Sequence, residues 1–491
     1  MEKYIISIDQ GTTSTRAILI DKHGNAVNMV QEEVPCLFPH SGWVEADALG
    51  IWVSVISVTN ALLVKQNISW DSIDSIGITN QRETTVVWDK KTGLPICNAI
   101  VWQSRQSADI CDRYEKHKEF IHKKTGLLIN PYFSASKIRF ILENVPGAEE
   151  RAKKGELLFG TIDSWLIYRM SKGKIHATDV SNASRTMLLN LQTLTWDKEL
   201  CELFKIPMTM LPKVLPSSYD YGPASFFNEK IHIHGVAGDQ QAALFGQTCF
   251  DEGESKNTYG TGCFMLMNIG KKATYSEKGL LTTVAWKIGN EVTYALEGSI
   301  FIGGAVVQWL RDKMQMITTS AESEELASDC RDTHGVYLVP AFVGLGTPYW
   351  DDDARGAVFG LTRNSDNRHF VRAALESIAY QCRDVFEVME EETGIKLATL
   401  NVDGGATANN FLMQFQSDIL QTHIVLPKCL QTTALGAAYF AGLSSGFYKN
   451  LDHIKAIHES QKEFNPKMDK KDAEEFYKGW KKAVSVTRMF K

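Results

Sequence analysis

The sequence lacks the features that mark several large classes of protein. Acidic and basic residues balance to a formal charge of −6, and no run of Lys or Arg occurs, so a nucleic-acid partner is not expected. The nine cysteines are an odd number, and no two of them form a C-x-x-C pair. This pattern favours reduced thiols over a disulfide framework.

Long hydrophobic runs are missing too. The longest weakly apolar stretch, residues 51–64, is too short to span a bilayer and contains several polar residues. The N-terminus has no basic segment followed by an apolar stretch and a cleavage site, so a secretory signal is not expected. We expect a cytoplasmic protein without an integral membrane segment.

The two commonest phosphate-binding loops are also absent. No G-x-x-x-x-G-K-[ST] motif occurs, and no G-x-G-x-x-G motif follows a strand. Residues 9–16 instead read Asp-Gln-Gly-Thr-Thr-Ser-Thr-Arg, a turn with an acid before it and a guanidinium after it. Its backbone N–H groups and hydroxyls can cradle a phosphate while Asp9 holds Mg²⁺ through water. Taken alone, this turn is equally compatible with a structural hairpin.

The second half of the chain repeats the pattern of the first. Residues 4–8 and 17–20 are predicted strands on either side of this turn, and residues 257–259 and 263–267 flank a Gly260-Thr261-Gly262 turn in the same way. At 491 residues the chain is too long for one typical core, which favours two domains. We place them at residues 1–249 and 250–491.

Helical and extended stretches alternate along the chain, which indicates layered α/β domains. A terminal helix docked on the second domain is predicted after residue 465, with Phe476, Trp480, Ala483 and Val484 on one face. The other predicted helices include residues 48–64, 114–124 and 370–391, and the predicted strands include residues 75–79 and 336–339.

A third glycine turn, residues 402–410, precedes an apolar stretch with helical spacing, so it could set a nucleotide against a helix N-terminus. Three separated glycine turns suggest a cleft between two domains. Together they resemble the phosphate and adenosine turns of the FGGY family of carbohydrate kinases, and the resemblance extends over nearly the whole chain. Residues 78–85, 98–103, 238–246, 257–267 and 342–350 are similar to the members of that family that act on glycerol.

The resemblance implies an α/β fold with two actin-like, ribonuclease H-like ATPase domains around a central catalytic cleft. It implies transfer of the γ-phosphoryl group of ATP to glycerol, giving sn-glycerol 3-phosphate and ADP in glycerol catabolism, with ATP and Mg²⁺ as cofactors. It does not determine whether the chain forms a homo-oligomer. The substrate-binding residues that it implies are Arg82, Glu83, Trp102, Tyr132, Asp239, Gln240 and Phe264.

Elementary chemistry agrees with this set. Glycerol has three hydroxyls and little apolar surface, so a selective pocket needs charged hydrogen-bond partners and flat walls. From the residues alone, however, Arg82-Glu83 is as compatible with a solvated pair at a strand end, and Trp102 and Phe264 with core aromatics.

Asp239 is the candidate catalytic base, because a carboxylate near the attacking hydroxyl can orient it and accept its proton. Asp239 also stands where a helix N-cap would, since Gly238-Asp239 precedes an apolar helical pattern. The two roles are compatible.

The resemblance also implies an ATP side, in which Arg16 offsets negative charge during transfer. Gly303-Gly304 is equally compatible with a plain helix-packing contact. The residues implied at the phosphates and the adenosine are Thr12, Thr13, Ser14, Arg16, Gly260, Thr261, Gly304, Gln308, Gly405 and Asn409.

Two rival functions remain. A pentulose or sugar-acid kinase on the same scaffold would need a longer pocket, against which Trp102 and Arg82-Glu83 argue. An actin-like or chaperone-like ATPase would share the phosphate turns without an acid placed to meet a polyol hydroxyl.

The segment of residues 219–235 departs from what the resemblance implies. Some bacterial members carry there a loop for fructose 1,6-bisphosphate or a histidine phosphorylated by the sugar phosphotransferase system. Ser225 lies near that histidine's position, and we expect neither control.

His232 and His234 can face the same way on a strand, but no Cys or third His lies at ligand spacing, so a metal site is not expected there.

Overall fold

The computed structural model describes residues 2–351 and 353–490. The strands in chain order are β1 (Tyr4–Gln10), β2 (Ser14–Ile20), β3 (Ala26–Glu33), β4 (Cys36–Leu37), β5 (Glu45–Ala46), β6 (Ile73–Asn80), β7 (Val86–Asp89), β8 (Ala99–Ile100), β9 (Leu157–Gly160), β10 (Ala177–Asp179), β11 (Leu189–Asn190), β12 (Thr195–Trp196), β13 (Lys213–Leu215), β14 (Ser218–Pro223), β15 (His232–Gly238), β16 (Glu254–Tyr259), β17 (Cys263–Asn268), β18 (Leu281–Ile288), β19 (Glu291–Ile300), β20 (Tyr337–Val339), β21 (Ala357–Phe359), β22 (Thr399–Asp403), β23 (His423–Pro427) and β24 (Ser460–Phe464).

Helices cover both faces of the main sheet and fill the connections. They are α1 (Ala48–Gln66), α2 (Ala108–Tyr114), α3 (Lys118–Thr125), α4 (Ser134–Asn144), α5 (Ala148–Lys153), α6 (Ile162–Met170), α7 (Val180–Ala183), α8 (Lys198–Leu203), α9 (Asp239–Gly246), α10 (Ala305–Asp312), α11 (Glu322–Ser328), α12 (Asn367–Thr393), α13 (Asn410–Leu420), α14 (Thr432–Ser445), α15 (Leu451–Ile457) and α16 (Lys470–Met489).

One 13-stranded sheet runs through both halves of the chain, in the order β24-β23-β22-β16-β17-β19-β18-β14-β15-β6-β1-β2-β3. Within it, β3-β2-β1-β6-β15 and β19-β17-β16-β22-β23 have the same order and the same directions, antiparallel on one side of the first strand and parallel on the other. The predicted two-half α/β architecture is therefore confirmed. The halves meet where β14 pairs with β18 through Ser218 and Ile288.

Strand β1 is central to the first half. Every residue of Tyr4–Gln10 is buried, as expected of a strand covered on both faces. Helix α1 packs on one side of it and α14, which comes from the second half of the chain, on the other. The apolar core of the first half is thus completed by a helix encoded near the C-terminus.

Glycines allow α14 to lie against the sheet. A Cβ at Gly77 in β6 would stand 2.4 Å from the carbonyl oxygen of Ala437, and one at Gly235 in β15 would stand 2.4 Å from the backbone nitrogen of Ala441. On the other side of α14, a Cβ at Gly436 would stand 1.8 Å from the carbonyl oxygen of Ala242 in α9. Backbone meets backbone at all three places, so a side chain would push the helix away.

Helix α1 is longer than the apolar stretch seen in the sequence. Its 19 residues are long and apolar enough, by length and composition alone, to cross a membrane. Half of that window is buried inside the fold, and the helix packs against β2 and β3, as a core helix does. The sequence argument from length was therefore wrong. The packing of α1 in the core nevertheless agrees with the expectation that it is not a membrane segment.

Two other predicted elements need correction. The helix predicted over residues 114–124 is interrupted at residues 115–117 by a 3-10 turn between α2 and α3. The predicted C-terminal helix is present as α16, which packs on α12, α13 and β20. Its buried face contains Tyr477 and Trp480, whereas Phe476 is 36% exposed and lies at the margin.

The boundary predicted between residues 249 and 250 falls in the loop from α9 to β16 and stays a prediction.

Replacing Gly436 should weaken the seam between α9 and α14. In Gly436→Ala the new methyl group meets the backbone of Ala242, so we expect a loss of roughly 1–3 kcal/mol in the free energy of unfolding, measured by urea denaturation. Gly405→Ala is the matched control, because a Cβ there meets nothing within 4 Å. Equal stability of the two variants would contradict the close packing.

Candidate active site

The first glycine turn joins β1 to β2 at the edge of a cleft between the two halves. The backbone N–H of Gly11 donates to the carbonyl of Ser14 at 2.9 Å, which closes the turn. Thr13 is exposed, and the Thr12 hydroxyl accepts a hydrogen bond from the indole N–H of Trp102 at 2.9 Å. This bond ties the predicted phosphate turn to the predicted substrate wall.

Asp9 lies at the end of β1 beside this turn. Arg16 Nη1 stands 3.4 Å from Asp9 Oδ2, and the Arg16 side chain is 36% exposed. Burial raises the pKa of Asp9 to about 6, against the lowering effect of Arg16, and the negative charge of Asp239 raises it further. The negative charges of Asp9 and Asp239 therefore repel each other across the site.

The second glycine turn joins β16 to β17. Gly260 and Thr261 are exposed there, and the chain before α10 folds onto them: the N–H of Gly304 donates to the carbonyl of Gly260 at 2.9 Å. A Cβ at Gly304 would stand 2.7 Å from that carbonyl oxygen, so close packing explains this glycine. One turn further along α10, Gln308 is exposed. The structure thus brings together Gly260, Thr261, Gly304 and Gln308, four of the residues that the resemblance implies on the ATP side.

The third glycine turn follows β22. Gly404 has a φ of +95°, and a Cβ there would stand 2.4 Å from the carbonyl oxygen of Tyr259, so this turn is held against the end of β16. Gly405 faces open space. Asn409 is the N-cap of α13, because its side chain accepts a hydrogen bond from the N–H of Leu412 at 2.9 Å. The sequence did not reveal this structural role.

A buried cluster of four charges fills the floor of the cleft. Arg82 donates to Glu297 through both terminal nitrogens, at 2.5 and 3.0 Å. Arg185 donates to Glu83 at 2.7 Å and to Glu297 at 3.1 Å. All four side chains are at most 2% exposed, so this is not the solvated pair that Arg82-Glu83 alone could have formed.

The charges of the cluster compensate one another. Although burial opposes its ionisation, the charges of Arg185 and Arg82 hold the pKa of Glu297 at about 2. Burial raises the pKa of Glu83, while Arg82 and Arg185 act against that rise. Glu83 also has a φ of +59°, a left-handed conformation that is uncommon outside glycine and clusters at functional sites.

Asp239 is the first residue of α9, at the mouth of this cluster. Gly238 stands at the N-cap position, so the cap role considered for Asp239 is not the one it has. Its carboxylate lies 3.3 Å from Arg82 Nε and remains 31% exposed. Burial raises its pKa, against the opposing charge of Arg82. Asp239 is therefore the carboxylate of this group that a ligand can reach.

Aromatic side chains line the approach to the cluster. The rings of Trp102 and Tyr132 meet edge to face with centroids 5.5 Å apart, and Arg82 Nη2 lies 3.3 Å from the Tyr132 hydroxyl. Phe264 pairs with Ser299 of β19, so its side chain is on the same face of the sheet as that of Glu297, two residues earlier. Trp102 and Phe264 are only partly buried, unlike core aromatics.

Sequence reasoning missed three charged residues of the site. Lys256 of β16 is fully buried, donates to Gln240 and donates to the Thr258 hydroxyl at 3.0 Å. Burial lowers its pKa to about 8, despite Asp403 and Asp239 nearby. The other two are Arg185 and Glu297. Glu297 follows an apolar run in β19, which was an available signal, whereas Lys256 lies in a polar strand and Arg185 in no motif.

The donor set near Asp9 fits a hard divalent cation. The charge of Asp239 acts on Asp9, and the charges of Asp239 and Asp403 both act on Lys256, so this part of the site offers carboxylate oxygens, the ligands that suit Mg²⁺. Asp403 accepts from Gln247 at 2.7 Å through one oxygen, whereas its other oxygen is buried without a hydrogen-bond partner among the described residues. Such an oxygen is open to a water or a cation.

Comparison with known proteins identifies what the chain is similar to. Residues 4–246 match the FGGY family of carbohydrate kinases, N-terminal domain, and residues 255–445 match the C-terminal domain of that family. A glycerol kinase of Geobacillus sp. WCH70 is 57% identical over 496 positions, covering 100% of both chains. The crystal structure of Plasmodium falciparum glycerol kinase with ADP has a TM-score of 0.95 at 38% identity, covering 99% of this chain and 98% of that one. A gluconate kinase from Lactobacillus acidophilus shares the fold, with a TM-score of 0.89 at 24% identity over 99% of this chain and 98% of that one.

Neutralising Glu297 should destabilise the protein strongly. In Glu297→Gln two buried guanidinium groups lose their shared counter-charge, so we expect a loss of about 3–5 kcal/mol in the free energy of unfolding. Urea denaturation measures it. The matched control on the same strand is Glu291→Gln, where the side chain is 68% exposed and a change of about 0.5 kcal/mol or less is expected. Equal losses in the two variants would contradict the compensation of the buried guanidinium groups by Glu297.

Proposed function

This chain belongs to the FGGY family of carbohydrate kinases, and from that membership we propose that it transfers the γ-phosphoryl group of ATP to glycerol, giving sn-glycerol 3-phosphate and ADP. The observation that carries the proposal is the position of Asp239, whose carboxylate is 31% exposed and lies 3.3 Å from Nε of buried Arg82. Neither a chaperone-like ATPase nor an actin-like filament protein requires an acid so placed.

Arg82 and Glu83 bind glycerol hydroxyls in this proposal. Their side chains are held by Glu297 and Arg185, so little conformational freedom is lost when the ligand arrives. A guanidinium that donates and a carboxylate that accepts together suit a polyol, whose hydroxyls do both. Trp102, Tyr132 and Phe264 form the walls against the carbon chain, and Gln240 completes the set beside Asp239.

Asp239 is the base. It orients the attacking hydroxyl and accepts its proton as the oxygen attacks phosphorus. Burial raises its pKa, which makes the carboxylate a better proton acceptor than an exposed aspartate, and the charge of Arg82 opposes that rise. The proton leaves the hydroxyl oxygen and resides on Asp239 until ADP and the phosphorylated product depart.

The phosphates of ATP lie between the first two turns. Backbone and hydroxyl groups of Thr12, Thr13 and Ser14 approach from one side, and Gly260 and Thr261 from the other. Gly304 and Gln308 stand behind the second turn. Arg16 and the buried ammonium of Lys256 supply positive charge. Asp9 would hold Mg²⁺, and the ion would offset negative charge on the phosphates.

The adenosine side is the third turn. Gly405 faces open space, so its backbone can approach a ligand closely, and Asn409 fixes the start of α13 behind it. Because the Asn409 side chain is already engaged as a cap, its contribution to nucleotide binding is to hold this turn in place.

The proposal includes a cellular setting. The enzyme acts in the cytoplasm, as expected from the sequence, and its product enters glycerol catabolism. Trp102 and the Arg82-Glu83 pair argue against pentuloses and sugar acids, which would need a longer pocket. The two domains, residues 1–249 and 250–491, close around the substrates and exclude water, which would otherwise take the phosphoryl group.

Asp239→Asn should abolish turnover without unfolding the protein. We expect kcat to fall roughly 10²- to 10⁴-fold, because the amide cannot accept the proton. A coupled ADP-release assay with MgATP and glycerol measures it, with xylulose, ribulose, gluconate and no acceptor alongside. Asp251→Asn, whose side chain is 73% exposed, is the matched control and should keep full activity. Preference for a pentulose, or full activity of Asp239→Asn, would contradict the assignment.

The pH profile should report on Asp9. Its pKa of about 6 means that kcat/KM falls as the pH is lowered through 6, because the ionised carboxylate needed at the phosphates becomes protonated. Arg16→Gln removes a charge that lowers this pKa, so the acidic limb should move to higher pH. Titration of ATP is common to both proteins and cancels in the comparison. Arg311→Gln, on an exposed pair, is the control; an unmoved limb in Arg16→Gln would exclude Asp9.

A further inference from the structure

A second group of possible ligands lies outside the cleft, on strands β14 and β15. Asp220, His232 and His234 each offer one ligand atom, and these atoms all lie within 4.8 Å of one another. Among the described residues, no other group of three or more His, Cys, Asp or Glu side chains meets this condition. None of the three takes part in the proposed reaction.

The backbone explains how the three side chains meet. His232 and His234 are two residues apart on β15, so both point to one face of the sheet, and their rings stack with centroids 5.8 Å apart. Asp220 belongs to the irregular part of β14, where the register with β15 shifts between Ser218 and Gly222. Such a bulge re-aims a side chain, and here the Asp220 carboxylate lies 2.9 Å from His232 Nδ1.

A residue outside the group holds one of the rings. The Nδ1 atom of His234 lies 2.9 Å from the hydroxyl of Ser444 at the end of α14. With one ring nitrogen engaged, the orientation of the imidazole is set and the other nitrogen is left for a ligand, which is the arrangement usual behind a metal-binding histidine. Asp220 and His232 are 50% and 37% exposed, so water can complete a coordination shell.

We propose that Asp220, His232 and His234 bind a divalent transition cation of the zinc class, at the seam between β15 and α14. Two imidazoles and one carboxylate form a donor set that suits Zn²⁺, Co²⁺ or Ni²⁺ better than Mg²⁺ or Ca²⁺, which prefer oxygen alone. The site is separate from the nucleotide-bound Mg²⁺. Its effect is to fasten β14 to β15 and, through Ser444, to α14.

Sequence inspection could not find this site. The two histidines are visible as a period-2 pair, but the third ligand comes from the neighbouring strand and depends on a register shift that no local pattern announces. The earlier argument against a metal, that no Cys or third His lies at ligand spacing, did not consider a carboxylate across the hairpin.

Binding of Co²⁺ alone, without nucleotide, tests the proposal. We expect the wild-type chain to bind one Co²⁺ with weak visible bands and without the near-ultraviolet band of a thiolate, so the cysteines are distinguished from this site. His232→Gln and Asp220→Asn should each lose about tenfold or more in affinity. His423→Gln is the matched control, since His423 forms a similar His–carboxylate pair with Glu463, at 3.2 Å across β23 and β24, but without a third ligand.

Thermal unfolding with Zn²⁺ gives a second readout that does not depend on activity. Zn²⁺ should raise the Tm of the wild type and of His423→Gln, and should raise that of Asp220→Asn much less, because a ligand that binds only the folded state stabilises it. The proposal is overturned if wild type, His232→Gln and Asp220→Asn bind Co²⁺ equally, if binding gives a thiolate band, or if the wild type shows no saturable binding. In those cases Asp220 and His232 form a simple surface pair.

Discussion

The compensation of charge among Arg82, Glu83, Arg185 and Glu297 is the constraint on which the cleft depends. The hydrogen-bonded pairs of opposite charge join different elements. Arg82 and Glu83 follow β6, Arg185 follows α7 and Glu297 lies in β19 of the other half. Burying such groups is costly unless all are paired, so the cluster fixes the geometry of the cleft rather than adding much stability. Asp239 lies against this cluster through Arg82, whose charge opposes the rise in the pKa of Asp239 that burial causes.

The proposed function divides the work between this floor and the glycine turns. In that proposal the floor binds hydroxyls with side chains that are already held in place, whereas the turns approach phosphates with backbone. The two kinds of recognition meet where Trp102 donates to Thr12, so the sugar-alcohol wall and the first phosphate turn share one hydrogen bond. A substrate that moves the indole therefore also acts on the turn.

Much of the fold could be predicted from sequence, because its signals are local. The buried run of β1, the three glycine turns and the long helix α12 follow from hydrophobic period and turn residues. What could not be predicted depends on contacts between distant segments. Arg185 has no surrounding motif, Asn409 acquires its cap role only from the start of α13, and the 3-10 turn at residues 115–117 breaks a pattern that was continuous in the sequence.

The crossing of α14 onto the first half has a consequence for synthesis of the chain. Strands β1, β6 and β15 are complete once residue 238 has left the ribosome, but the face they present to α14 stays uncovered until residues 432–445 have been made. Gly77 and Gly235 have no side chains, so nothing at these two positions covers the face before α14 has been made. While the chain is being made, the first half therefore exposes the apolar face that α14 later covers. The first half cannot complete its core before the second half has been synthesised.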